Sequence, residues 1–224
     1  CYFLNPTNDF TGIAKLAFPR GSGSFSSLTL AGDRSLPHYG NVKASGIGSV
    51  NMLVNADHTA WPDAEIGRFM READFADSVK LFATVALDTS RLDAPYTVAL
   101  ANLGDLSEYV GGLGGRGPQP VIFTGELSMP KGMFKCFDGI LRIAGPGTRT
   151  VRTILTSGER VPDEGGTIEI VDGADVVVSE SLQMGGQDAS LSYLVISNAT
   201  LRSTDPSCRI LGGATSASRG VVKV

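Results

Sequence analysis

The chain has little from which to build a catalytic or metal centre. Histidine occurs twice in 224 residues, as His38 and His58. Neither has a second His or Cys at ligand spacing, which argues against a zinc site. No Gly-x-Ser-x-Gly elbow is present to hold a serine nucleophile beside either imidazole. The three cysteines, Cys1, Cys136 and Cys208, lie far apart without metal-type spacing. Buried small hydrophobes are the simplest reading of them, and one disulfide in an oxidising compartment leaves three pairings open. Basic charge is also short. With 19 Lys and Arg against 23 Asp and Glu, the net charge is -4, and the longest basic cluster, Arg142 to Arg152, is broken by Gly145-Pro146-Gly147. No nucleic-acid partner is expected from such a surface. No apolar run approaches ~20 residues, so no membrane span is expected.

Cofactor signatures are equally thin. The run Gly111 to Pro118 is rich in glycine but lacks the Lys-Ser/Thr ending and following helix of a phosphate cradle, so it reads as a turn-rich loop. Corner aspartates could ligate calcium, yet no Gly-Gly-x-Gly-x-Asp run occurs. No cofactor, metal or catalytic residue is therefore assigned.

What the chain does have is glycine, 28 residues, scattered at turns rather than massed in a linker. It also has a near-repeat. Leu182-Gln183-Met184-Gly185-Gly186 is echoed by Arg209-Ile210-Leu211-Gly212-Gly213, 27 residues on. Each copy leads through small polar residues into a second alternating strand, Tyr193 to Ile196 and then Gly220 to Val224. Upstream, Ile168-Glu169-Ile170 before Asp172-Gly173 matches Leu194-Val195-Ile196 before Asn198-Ala199, at an offset of 26. Strands and tight corners recurring at this period are the signature of a solenoid, whose turns bury apolar faces only against their neighbours. The expected core ladder is Ile168, Ile170, Leu194, Ile196, Val222 and Val224. The expected repeat corners are Gly185, Gly186, Gly212 and Gly213. Corners of this kind set successive strands parallel and stacked rather than hairpinned.

The N-terminal half reads as strands over Tyr2 to Leu4, Ile13 to Phe18, Phe25 to Leu30 and Val42 to Val54, then Thr84 to Leu87 and Tyr96 to Leu100. One segment departs from the β pattern. Ile66, Phe69, Met70 and Ala73 fall at helical spacing with Asp63, Glu65, Arg68, Arg71 and Glu72 opposite, which predicts a short helical insertion near residues 63–75, lying on a flank or capping an open end. The expected organisation is a β-rich solenoid-like region over 1–120 and regular coils over 121–224, one continuous domain and a segment of a larger protein. A lipid-bearing Cys1 would be followed by a polar tether, and Tyr2-Phe3-Leu4 reads as a strand instead.

Two blocks carry a family resemblance. Asn5-Pro6-Thr7-Asn8-Asp9-Phe10-Thr11-Gly12, followed by Ser27-Leu28-Thr29-Leu30-Ala31-Gly32-Asp33, resembles the autotransporter-associated β-strand repeat of bacterial passenger domains. The C-terminal pairs Leu182 to Gly186 with Leu194 to Leu201, and Ile210 to Gly213 with Val221 to Val224, are similar to its companion pattern of a hydrophobic-glycine-glycine corner and an alternating strand. The resemblance implies a right-handed parallel β-helix, secreted or on the bacterial cell surface, with a structural or adhesive role and no catalytic residues.

The all-β reading thus converges on a non-enzymatic structural or adhesive segment, an adhesin-like element able to stack head-to-tail into a filament. Its partners would be further copies, other surface proteins or glycans. The competing classes are a polysaccharide-active β-helix enzyme and a virus-derived fibre or capsid component. An enzyme would line a groove with paired acids. Asp74 with Asp77, and Asp172 with Asp175, are the candidate pairs, but Asn198 stands where Asp172 does in the next repeat, which reads as turn chemistry.

Overall fold

A computed structural model describes residues 2–5, 11–16, 27–36, 38–44, 49–75, 83–156, 165–185, 191–212 and 219–224. The strands of the N-terminal half are β1 (Tyr2–Phe3), β2 (Ala14–Leu16), β3 (Ser27–Leu30), β4 (Val42–Ala44), β5 (Ser49–Leu53), β6 (Thr84–Asp88), β7 (Tyr96–Ala99) and β8 (Gly112–Arg116). Those beyond are β9 (Val121–Thr124), β10 (Leu127–Cys136), β11 (Ile140–Ala144), β12 (Thr148–Thr156), β13 (Thr167–Val171), β14 (Asp175–Met184), β15 (Leu191–Ser197), β16 (Thr200–Ser203), β17 (Arg209–Gly212) and β18 (Arg219–Lys223). Among the described residues one α-helix, α1 (Asp63–Glu72), interrupts them.

The chain is mostly β, and every strand pairing between these elements is parallel. A ten-stranded sheet runs β1-β3-β5-β6-β8-β10-β12-β14-β16, with β17 also on β14. A six-stranded sheet runs β18-β15-β13-β11-β9-β7, and β2 pairs β4 separately. From β6 to β15 the chain alternates strictly between the two large sheets, so each sheet grows by one strand per pass. Parallel neighbours require such a crossover, and here other strands and corners supply it. The ten-stranded sheet crosses residue 120 without a break. These long parallel sheets are compatible with a β-solenoid.

The core lies between the inner faces. In the ten-stranded sheet, Leu28, Val50, Val85, Leu113, Phe134, Ile154 and Leu182 are successive register partners, and all are buried. In the six-stranded sheet, Tyr96, Val121, Leu141, Ile168 and Leu194 form one buried row, beside Val98, Phe123, Ile143 and Ile170. The rings of Phe123 and Phe134 meet across the gap at 5.6 Å. Period-2 alternation sends these residues to one side of each strand, so a one-residue slip would expose an entire row.

The helix forms where the periodicity predicts it, with Ile66, Phe69, Met70 and Ala73 buried. It lies on a flank, packed on the single turn of 3-10 helix at Leu100–Leu103. That approach is close enough that a Cβ on Gly67 would stand 1.8 Å from the Leu103 carbonyl oxygen.

The run Gly111 to Pro118 is a correction to the loop reading. Gly112–Arg116 is strand β8, buried along its length between β6 and β10. Glycine here permits contact rather than a turn: a Cβ on Gly114 would lie 1.8 Å from the Lys135 carbonyl oxygen on β10. Gly114→Ala is therefore expected to cost about 1–3 kcal/mol or more, as overpacking against backbone does. Gly40→Ala, whose Cβ would meet only the Glu72 carbonyl oxygen at 3.6 Å, should stay within about 1 kcal/mol. Urea unfolding of the two variants tests the difference, and equal stability would refute the close approach.

Candidate functional site

The residues expected to form the C-terminal ladder and corners fall into distinct environments. Ile168 and Leu194 are direct partners, as are Ile170 and Ile196. The first three of these are buried, and Ile196 is half-buried against the core. Val222 continues the row from Leu194 but is 43% exposed, because β18 has a neighbour on one side only. Val224 is a correction: pairing stops at Val195 with Lys223, and Val224 lies outside the ladder, fully exposed. Substitution separates these roles. Ile170→Ala should cost about 2–5 kcal/mol as a buried large-to-small change, and Val222→Ala well under about 1.5 kcal/mol. Similar losses in chemical denaturation would contradict the assignment of Ile170 alone to the closed core.

The corners divide in the same way. Asp172 and Asn198 occupy equivalent positions in successive repeats, both with positive φ, 58° and 47°, and Gly173 N–H donates to the Asn198 carbonyl at 2.6 Å. Short polar side chains tolerate this left-handed turn. Gly185, with φ 79°, turns the chain directly after β14. Gly212 is not its counterpart. It sits inside β17 opposite Met184, so the true offset is one residue longer than the echo in the sequence. The longer offset sets Ile210 opposite Leu182, whereas the echoed alignment would place Arg209 in an aliphatic row. Gly186 and Gly213 lie outside the described residues.

The two ends of the stack share a property. Among the described residues, the large exposed hydrophobics are Tyr2, Leu4, Ile13, Val222 and Val224. Tyr2 belongs to β1, the first strand of the ten-stranded sheet, and Val222 to β18, the last strand of the six-stranded one. Leu4 and Val224 directly adjoin these strands, and Ile13 precedes β2 of the separate two-stranded sheet. Each end thus combines an apolar rim with a strand edge of backbone hydrogen-bonding groups.

The acids and histidines are engaged locally. Asp175 accepts from Arg202 Nη2 at 2.9 Å and from Thr148 Oγ1 at 3.1 Å, linking β12, β14 and β16. Asp172 is the corner residue above, Asp74 pairs with Lys43 at 3.6 Å, and Asp77 lies outside the described residues. His38 is exposed. His58 stacks on Tyr96 at 4.4 Å with its Nδ1 3.7 Å from Asp63 Oδ1, while Asp63 Oδ2 accepts the Ala99 N–H and fastens α1 to β7. Cys136 and Cys208 are free thiols. Burial pushes the Cys136 thiol up to about 12, so it stays protonated and inert. A hollow of about 650 Å³ opens between the end of α1 and residues 105–110, walled by Met70, Phe75, Leu106 and Tyr109.

Sequence reasoning missed the buried cations, of which Arg149, fully buried, donates to the Ala144, Gly145 and Gly147 carbonyls. Lys135 is 1% exposed and Arg116 8% exposed, both on the outer side of the ten-stranded sheet. The outer row runs Thr29, Asn51, Ala86, Gly114, Lys135. Arg116 on β8 reaches past β6 and donates from Nη1 to Asn51 Oδ1 on β5 at 3.1 Å. Asn51 Nδ2 is 3.4 Å from Thr29 Oγ1. Both cations lie against Phe137, with Lys135 Nζ 4.0 Å and Arg116 Cζ 5.8 Å from the ring centroid. The available signal was the strict alternation through Phe134, Lys135 and Cys136, which places a lysine in the half of β10, Gly132 to Cys136, that has no exposed position.

Comparison with known proteins adds no family: no family model, curated protein or solved structure matches the chain.

The Asp175 network gives the stack an acid-sensitive link. Hydrogen bonds from Arg202, then Thr148, hold its carboxyl below the ordinary range. The folded form therefore binds the proton more weakly than the unfolded chain. The resulting stability is complete above the unfolded value, about 3.9, and is lost as pH falls through the lower folded value. Thermal unfolding of native protein should lose stability more steeply below pH ~4 than that of Asp175→Asn. Parallel profiles would contradict the assignment.

Proposed function

We propose that the chain is a right-handed parallel β-helix acting as a structural or adhesive segment of a secreted or cell-surface bacterial protein. In this reading its work is extension and assembly rather than chemistry. The single observation that carries it is the placement of Tyr2, Leu4, Val222 and Val224, exposed large apolar side chains on or directly beside the terminal strands β1 and β18. A strand edge flanked by apolar side chains is complementary to another such edge, through backbone hydrogen bonds and side-chain burial together. Joining one end to the opposite end of a second copy is a heterologous contact that does not close, and it generates an open filament. The resemblance to autotransporter-associated repeats supports the same reading, since such passengers are elongated and surface-bound. Other surface proteins or glycans would then meet the lateral faces.

Electron microscopy and fibre diffraction test the proposal. Native protein at rising concentration should form rods with an axial spacing of about 4.8 Å between strands. Val222→Lys, an exposed position, should leave the monomer folded and shorten or abolish the rods. Isolated particles at all concentrations, with no axial reflection, would refute the assembly.

A further inference from the structure

Four buried rings run from the start of α1 to the segment before β8, each set edge-on to the next. Trp61 meets Phe69 at 6.2 Å and 82°, Phe69 meets Phe75 at 6.4 Å and 75°, and Phe75 meets Tyr109 at 5.4 Å and 71°. The ring quadrupole favours this edge-to-face arrangement. The series ends at the hollow of about 650 Å³, which Phe75 and Tyr109 both line. Among the described residues, Phe75 is the one ring that Tyr109 meets. The Tyr109 hydroxyl is engaged with β8, donating to the Gly112 carbonyl at 2.9 Å. Met70 and Leu106, both buried, add further apolar wall.

The charges at the mouth are held within the chain. Asp74 pairs with Lys43 at 3.6 Å, and Glu108 pairs with Lys131. Asp105 Oδ1 accepts the Ser107 N–H at 2.9 Å, and Arg71 Nη1 donates to the Leu103 carbonyl. A charged ligand would shed its water against apolar walls in exchange for partners already engaged. The volume falls in the range of about 300–1,000 Å³ typical of small-molecule sites, which are mostly apolar.

We propose that the hollow binds a small uncharged aromatic molecule, whose ring takes the next place in the series, against Tyr109 and Phe75. The site is lateral and stands independently of end-to-end assembly.

Calorimetric titration of the full chain tests this, with benzyl alcohol, cyclohexylmethanol, benzoate and benzylamine as probes. Benzyl alcohol and cyclohexylmethanol share one framework with and without the aromatic ring. The saturated compound is the more apolar, so burial alone favours it. Benzyl alcohol should bind saturably at one site and several-fold more tightly than each of the other three. Val110→Trp, at a half-buried position on the lining, should fill the hollow and weaken binding about tenfold or more. Should that variant fail to fold, amide shifts of the native chain give the location: benzyl alcohol should move those of Leu106 to Val110 and leave β16 unmoved. Absence of saturable binding, equal or tighter binding of cyclohexylmethanol or of either charged probe, unchanged affinity in folded Val110→Trp, or shifts confined to other residues would overturn the proposal.

Discussion

The contact between β8 and β10 is the constraint on which the rest of the structure depends. Gly114 approaches the Lys135 backbone so closely that a side-chain carbon would overlap its carbonyl oxygen. Through this contact, a strand with only Leu113 and Arg116 as non-glycine residues joins the two halves of the ten-stranded sheet. Glycine strands are weak in isolation, having no side chains to pack and the largest backbone entropy to lose. Here neighbours on both edges supply the hydrogen bonds, and Leu113 alone continues the inner aliphatic row between Val85 and Phe134.

From that continuity the other features follow. The inner row stays in register across seven strands, which holds the facing six-stranded sheet at packing distance through Phe123 and Phe134. On the outer side, the absence of side chains at Gly112 and Gly114, and the methyl group of Ala86, leave room for Arg116 to lie across the sheet towards Asn51. The same substitution-intolerant strand therefore bears on both the core and the position of Arg116. At the ends, where no further strand adds to the row, residues of the same aliphatic type become exposed, as Val222 does beyond Leu194.

The sequence was legible where one local period governed the outcome. The spacing of Ile66, Phe69, Met70 and Ala73 announced α1, and the alternation around Ile168 and Leu194 gave the correct 26-residue register. It was illegible where the outcome depended on residues distant in the chain. Nothing local distinguishes a glycine loop from a glycine strand pressed between two others, because the deciding atom, the Lys135 carbonyl, is 21 residues away from Gly114. The glycine echo misled for a related reason. Similar letters at Gly185 and Gly212 suggested equivalence, whereas register is set by which alignment keeps arginine out of the aliphatic row. Arg116 and Lys135 were hidden because Lys and Arg are ordinarily surface residues, and their environment arises only when β5, β6, β8 and β10 lie side by side.

Amide hydrogen exchange over residues 112–116 tests the central claim most directly. A strand paired on both edges should exchange as slowly as its neighbours, β6 and the second half of β10, opening only with global unfolding. Exchange of those amides at rates typical of exposed loops, while β6 and β10 remain protected, would contradict the continuous sheet and the account built on it.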